Sequence, residues 1–367
     1  MVTEETQTAY FQLNFAGELG DYSYTANAGA QYIKTDLQVV SHLVGGDRPC
    51  TLCTAQGDLG LDIVDRSYTD LLPSANIAVN ITPDVILRAA YAKTLTSMDL
   101  DDLAGGLSIG RSRAGDVLAA ELGVEPDLLV AINGVQNGNP ELEPWRADNF
   151  NLSAEWYFSD SGLISLAWFK IDLETTIESG EVQRFLPDAD GVSRRKLPVA
   201  TNVNGKGSTI DGIEIAYQQA FDFLPGFWSG FGASLNFTYA PSESGNVDFY
   251  GNELPVQDNS EKSGNAVLWY EKDGLQFRLA GNYRSDRLDR VTGPIIPDSG
   301  TSTPFWVKPT FYVDISASYD INDSVNVYIS GSNITEEFEN VYAQWEDNVV
   351  TQNIFESRWT IGTRIRF

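Results

Sequence analysis

Hydrophobic and polar residues alternate without a break over the last ten positions of the chain. Trp359, Ile361, Thr363, Ile365 and Phe367 fall on one side, and Arg358, Thr360, Gly362, Arg364 and Arg366 on the other. Successive side chains of a β-strand point to opposite faces, so a period of two predicts a strand with one apolar and one polar face. About ten residues is also the length that crosses a bilayer at the usual tilt. Lipid on one face and a wet lumen on the other ask for this alternation. The same period marks residues 311–319, 325–329, 275–283 and 231–239. It is looser over 266–270, 213–219, 164–171, 150–158, 85–91, 75–81, 26–33 and 9–15, which makes thirteen predicted strands.

The connections between them alternate strictly between short and long. Short turns at 17–21, 82–84, 159–162, 223–229, 272–274 and 321–323 are built from Gly, Pro, Asp, Asn and Ser, the residues that turn chemistry favours. Long connections lie near 38–68, 95–145, 177–207, 241–260, 287–308 and 334–357. Tight turns on one rim and long loops on the other describe an all-β, antiparallel transmembrane barrel of the outer-membrane type. A soluble sandwich also alternates, but it has no reason to gather every long loop at one end. Trp156, Phe158, Trp228, Phe231 and Phe367 fall at or beside the short-turn rim, where an aromatic girdle is expected. The C-terminus of such barrels is periplasmic, so the long loops are expected to face outside.

The strand count is odd, whereas single-chain bacterial barrels use even numbers. Thirteen strands leave two unpaired edges, and each orphaned N–H or C=O in lipid costs several kcal/mol. The chain is therefore not expected to close a barrel by itself.

Composition narrows the partners. The 51 acidic residues against 24 basic ones give a formal charge of −27, which excludes nucleic acid because phosphates would be repelled. No stretch approaches the roughly 20 apolar residues of a membrane helix. Met1-Val-Thr-Glu-Glu-Thr-Gln has neither the basic nor the apolar region of a secretory signal. Since a barrel needs a signal to reach an outer membrane, the chain is expected to be the C-terminal part of a longer precursor. Cys50 and Cys53, in a Gly/Asp-rich setting, suit a small loop disulfide in an oxidising compartment, with a free or redox pair as the alternative. Zinc needs more ligands than this pair and the only histidine, His42, offer. Neither metal nor cofactor is expected.

Several segments resemble the C-terminal portion of TonB-dependent outer-membrane receptors, especially the carbohydrate-uptake group of proteobacteria. They are Asn14-Phe-Ala-Gly-Glu-Leu-Gly20 with Tyr32-Ile-Lys-Thr35, Arg88-Ala-Ala-Tyr-Ala-Lys-Thr94 with Asp99, Leu100 and Leu103, and Gly138-Asn-Pro-Glu-Leu-Glu-Pro144 leading into Asp148 and Asn149. Further on come Gly212-Ile-Glu-Ile-Ala-Tyr-Gln218, Phe223-Leu-Pro-Gly226, Gly230-Phe-Gly232, Tyr283-Arg-Ser285 and Ser332-Asn-Ile-Thr335. Singly weak, they occur together in family order over most of residues 11–367. The resemblance implies a 22-stranded barrel of which this chain is the last thirteen strands, with the plug domain and the first nine strands absent. A first strand equivalent to the tenth of that barrel runs inward, which resolves the odd count. The resemblance also implies a cell outer membrane location, contact with lipid and lipopolysaccharide, and coupling through the plug to the TonB–ExbB–ExbD complex. The expected activity is energy-driven uptake of a large, scarce solute.

No catalytic constellation is visible: one histidine, no GxSxG, no HExxH and no phosphate loop. Paired acids such as Asp101-Asp102 and Glu336-Glu337 read as solvated loop surface, so an enzyme is not expected. Two solute classes compete, because oligosaccharides stack on aromatic faces whereas anionic iron chelates want clustered Arg or Lys. Residues 95–145 hold nine acids against Arg111 and Arg113, and residues 334–357 hold six acids and no base. With Trp145, Tyr250, Phe305, Trp306, Tyr342 and Trp345 on or near loops, the balance leans to a neutral oligosaccharide over a ferric siderophore. These aromatics also suit an outer-interface girdle. Arg278, Arg284, Arg358, Arg364 and Arg366 face the lumen and would, in the family, pair with plug and barrel carboxylates. A passive 16-stranded porin remains a separate reading if strands lie hidden inside the long loops, and so does a surface scaffold that transports nothing.

Overall fold

The computed structural model describes residues 1–45, 58–292 and 302–366. Cys50, Cys53 and Phe367 lie outside the described residues, and with them the disulfide expectation. In chain order the elements are β1 (Val2–Leu19), β2 (Tyr22–Gly45), β3 (Asp58–Thr82), β4 (Val85–Thr96), α1 (Leu100–Leu103), β5 (Leu107–Arg113), α2 (Gly115–Leu122) and β6 (Leu129–Gln136). There follow β7 (Trp145–Ser159), β8 (Gly162–Leu173), β9 (Ile177–Phe185), β10 (Lys196–Asn204), β11 (Ser208–Ala220), β12 (Phe231–Tyr239), β13 (Ser242–Glu243), β14 (Lys262–Lys272) and β15 (Leu275–Arg284). The last are β16 (Arg287–Thr292), β17 (Thr303–Val307), β18 (Thr310–Asn322), β19 (Val325–Ser332), β20 (Glu339–Ala343), β21 (Val349–Asn353) and β22 (Arg358–Ile365).

A single antiparallel wall runs β1-β2-β3-β4-β7-β8-β11-β12-β14-β15-β18-β19-β22. Every strand predicted by alternation is one of these. Among the described residues, β1 pairs only with β2 and β22 only with β19, so the wall is open at both ends. The short turns have the expected chemistry: Asp273 and Gly274 both take positive φ, 51° and 77°, the two-residue turn that matches strand twist.

The two faces differ as lipid and water require. Ile77, Leu87, Leu152, Leu166, Ile213, Leu235 and Phe237 all stand exposed on the convex face. Its short-turn rim carries a run of rings: Trp156 against Phe158 at 5.5 Å, Phe158 stacked on Tyr217 at 6.3 Å, and Phe227 and Phe231 each in contact with both Trp228 and Tyr270. On the opposite side the apolar band stops at Lys34–Asp36 and Lys170–Asp172, paired at 2.7 and 2.9 Å, and at the Lys93–Glu174 pair. Charge on the lipid face is tolerated only near the interfaces, so these pairs mark the outer boundary. Among the described residues no helix is long and apolar enough to cross a membrane.

The long connections differ from the irregular loops expected at those positions. Residues 38–45 and 58–68 continue β2 and β3, which reach 24 and 25 residues. Roughly ten residues cross the bilayer, so both strands project well beyond it. The extension holds because Leu37 and Val39 on its inner face are buried with Leu103 and Leu142 from the β4–β7 connection. Above them β5 lies parallel to the end of β2, and the β5–β6 hairpin joins the β9–β10 hairpin through a parallel β6–β10 contact. Leu107, Ile109, Ala131, Leu186, Leu197 and Val199 form the core of this outer sheet. A second outer sheet runs β16-β17-β20-β21. Strands do lie inside the long connections; the two-residue β13 pairs with wall strand β11 beyond the end of β12, and the others build these two outer layers.

Candidate functional site

The motif spanning Gly138 to Pro144 is a brace for the first outer layer. Arg66 donates to the carbonyls of Pro140 and Leu142, both at 2.9 Å, and the Asn139 amide donates to the Asn202 carbonyl at 2.9 Å. Gly105 and Gly138 let two backbone segments touch: a Cβ on Gly105 would fall 2.2 Å from the Gly138 nitrogen, and one on Gly138 2.8 Å from the Ala104 carbonyl. Arg146 anchors the foot of the same layer to buried Asp70 at 2.6 Å. Farther out, Arg194 joins buried Asp188 at 2.7 Å and Asp190 at 2.5 Å, and its guanidinium holds the Asp190 carboxyl down at about 2.

The second outer layer gathers the loop aromatics. The connection between β13 and β14 turns at Asp248, whose carboxylate accepts from the backbone N–H of Tyr250 and of Asn252, both at 2.8 Å, and from the Asn252 amide at 3.2 Å. Gln344, beyond β20, donates to the same carboxylate at 3.2 Å and accepts from the Phe249 N–H at 3.3 Å. Burial works against ionisation of Asp248, but these donors outweigh it and hold its carboxyl below the usual 3.8. The Trp345 indole N–H then donates to the Tyr250 hydroxyl at 2.9 Å, and the Phe249 ring meets Trp345 edge-on at 6.0 Å. With their polar tips bonded to each other, Tyr250 and Trp345 remain 65% and 43% exposed as residues. That leaves two aromatic faces for a ligand.

The connection between β16 and β17 completes this block. Ser302 donates its N–H to Val247 at 3.0 Å, and Gln344 donates its own to Pro304 at 2.9 Å. Arg287 bonds Asp258 at 3.0 Å and Glu339 at 2.9 Å, while the Arg290 guanidinium lies 4.2 Å over the Phe305 ring.

Five of the six aromatics expected at the solute site thus fall in one block, in different settings. Tyr250 and Trp345 are presented to solvent, Phe305 is covered by Arg290, and Trp306 stands opposite Tyr342 on paired strands. Tyr342 is buried, its hydroxyl pushed up to about 12 by that burial and by Asp286 and Glu346. Trp145 is elsewhere, opposite Thr96 at the top of β7. The sequence reading passed over Phe249, Asp248 and Gln344, which carry the geometry of the block. Nothing in the period-two pattern marks them, since they act through turn geometry and a contact between residues 96 positions apart. Of the lumenal arginines, Arg284 reaches the Asp258 carbonyl at 2.6 Å. Arg278, Arg364 and Arg366 border a polar hollow of about 800 Å³ on the concave face.

The model of the family described as TonB dependent receptor-like, beta-barrel, matches residues 2–334. No curated protein sequence matches. Among solved structures, a variant of the ferric enterobactin receptor PfeA from Pseudomonas aeruginosa is similar over 99% of this chain and 54% of its own, with 16% identity and a TM-score of 0.55. The siderophore receptor PirA from Acinetobacter baumannii is similar over 91% and 51%, with 17% identity and a TM-score of 0.53. The ferric-catecholate import receptor Fiu from E. coli is similar over 99% and 45%, with 14% identity and a TM-score of 0.61. Identities this low show a shared fold, and the chain spans about half the length of these structures. By its match over most of its length and by its wall of alternating strands, the chain belongs to the TonB-dependent receptor-like β-barrel family, whose members are outer-membrane receptors and transporters rather than enzymes.

Proposed function

We propose that this chain forms the C-terminal wall and outer loops of a 22-stranded receptor that takes up a ferric siderophore by energy coupled through TonB. The open edges of β1 and β22 support completion by further strands, because unpaired backbone groups in lipid cost several kcal/mol each. The full receptor would hold a plug inside the lumen, through which the TonB–ExbB–ExbD complex acts. The observation that carries the solute class is the block joining the exposed rings of Tyr250 and Trp345 to Arg290 over Phe305. Exposed aromatic faces suit stacking of a ring-bearing iron chelate, while the Arg290 guanidinium is itself paired with Asp289. The solved structures similar in fold, named as siderophore and ferric-catecholate receptors, lend support.

A neutral oligosaccharide is the second reading. It is favoured by the six acids of residues 334–357 and by ring faces that would stack on sugars equally well. Titrating the full receptor that contains this chain, purified in detergent micelles, with iron(III) tris-catecholate and separately with maltohexaose decides between them. Saturable quenching of tryptophan fluorescence by the chelate, weakened about tenfold or more by Trp345→Ala or Tyr250→Ala, is expected. Binding of maltohexaose without binding of the chelate would replace the first reading by the second.

A further inference from the structure

Five of the six tight connections on the short-turn rim are two residues long, at 20–21, 83–84, 160–161, 273–274 and 323–324. The sixth, between β11 and β12, takes ten residues, 221–230. Two residues suffice to join antiparallel strands, so the added length serves something other than connection. It carries Phe221, Phe223, Phe227 and Trp228. In the wall, β11 and β12 are the seventh and eighth of thirteen strands. The turn therefore stands five or more strands from either edge, where strands that complete the wall do not reach it.

The turn is tightly built. The Phe221 N–H donates to the Phe231 carbonyl at 2.7 Å and closes its base. Gly226 takes a positive φ of 62° and opens a short 3-10 helix, Gly226–Gly230. Beyond that bend the Phe227 ring centre lies 4.8 Å from Tyr270 and 5.6 Å from Phe231, and Trp228 lies 5.7 Å from Phe231. Phe231 and Tyr270 are cross-strand partners on the face that Leu235 and Phe237 share, so the turn folds back over the convex, apolar side of the wall. Gly230 permits the close seat, since a Cβ there would fall 2.7 Å from the Tyr270 ring. Lys272 ties down the polar side of the turn, donating to the Gly226 carbonyl at 2.6 Å and to the Ser229 hydroxyl at 2.7 Å. Tyr270 is buried beneath, whereas Phe223, Phe227 and Trp228 are each more than half exposed. Covering Tyr270 accounts for one side of the turn and leaves its ring-bearing side without a role in the fold.

We propose that residues 221–230 form an interfacial hook seated in the phospholipid leaflet at the short-turn rim. Phe223, Phe227 and Trp228 lie at the boundary between headgroups and acyl chains, the level at which aromatic side chains concentrate in bilayers. The two phenylalanine rings, which have no polar tip, face the acyl side. The Trp228 indole N–H has no partner among the described residues and donates to a lipid ester or phosphate oxygen, as an apolar body with a polar tip favours at this depth. Lys272 stands on the same convex face at the rim, where charge is tolerated. The hook fixes the depth of the middle of the wall in the bilayer, which a two-residue turn without exposed rings cannot do. This holds whichever solute the receptor takes.

The test is tryptophan quenching in the full receptor that contains this chain, reconstituted in phosphatidylcholine vesicles. The acyl chains carry bromine either near the glycerol or near the methyl end. Subtracting the emission of a Trp228→Phe variant isolates that of Trp228 from the other tryptophans. The hook predicts stronger quenching by the shallow bromines than by the deep ones, and little by acrylamide in the water. In a Phe223→Ser/Phe227→Ser variant the shallow quenching should be lost and the acrylamide quenching should rise, with the circular dichroism of the wall unchanged. Should that variant fail to fold, Phe223→Ser alone leaves Phe227 against Tyr270 and should shift the quenching in the same direction. Trp228 quenched by acrylamide and not by bromine would overturn the hook and place the turn in water, open to a soluble protein partner. Shallow quenching that persists unchanged in the serine variants would also overturn it, leaving Trp228 as a single ring of the girdle. Either result leaves the receptor reading standing, because solute binding at the outer loops does not depend on this rim.

Discussion

Asp248 shows how one side chain sets the geometry of a whole loop block. Its two oxygens accept from two backbone amides and two side-chain amides of separate connections, so its removal leaves several donors unmatched in a buried place. Asp248→Ala is expected to cost about 1–3 kcal/mol of local stability. Faster hydrogen exchange at the amides of Tyr250 and Asn252, with the wall amides unchanged, would show it. The pH dependence has a definite sign. A carboxyl held below 3.8 in the folded state contributes stability that is present above that value and is lost as pH falls through the folded pKa. The Tyr250–Trp345 contact should thus stay closed from neutral pH down to about 4 and open below it. Trp345 emission that stays constant between pH 7 and 2 would contradict this.

At the scale of elements, the outer layers are folded pieces with cores of their own, not slack connections. Leu142 is only 1% exposed, so Leu142→Ala should destabilise the first layer by about 2–5 kcal/mol. Gly138→Ala should do comparable harm by driving a Cβ into the Ala104 backbone. Limited proteolysis checks both: new cleavage is expected between residues 97 and 144 while the wall strands stay protected. Here the sequence was half legible. The run from Gly138 to Pro144 stood out as a family marker, yet its neighbours in space, Arg66, Asn202 and the Ala104 backbone, lie 34 to 76 positions away. A one-dimensional pattern carries no trace of such distances. The same holds for β9, β10, β16 and β17, which run only five to nine residues with few apolar positions in each, too short a pattern to stand out in the sequence.

At the scale of the molecule, the wall is an inside-out protein, its apolar side chains turned toward lipid and its polar ones toward the lumen. Leu152 and Asn151 are successive residues of β7, so their side chains point to opposite faces. Leu152→Arg should therefore cost about 2–4 kcal/mol near the bilayer midplane, whereas Asn151→Arg should cost little. Urea unfolding from phosphatidylcholine vesicles would rank them, and equal losses would contradict the assigned faces. The edges of β1 and β22, each paired on one side only among the described residues, belong to this scale too, since orphaned backbone groups in lipid are costly.

Alternation by itself determined the wall: where each of its strands lies, which rim carries the tight turns, and which face is apolar. It could do so because strand geometry and the two solvents impose a period of two that acts on each residue locally. Only the tertiary structure decided that the long connections fold into two layers, and that Tyr250 and Trp345 meet while Trp145 stands apart. Those relations arise from packing and register between strands distant in sequence, where the choice of neighbour depends on the whole chain at once.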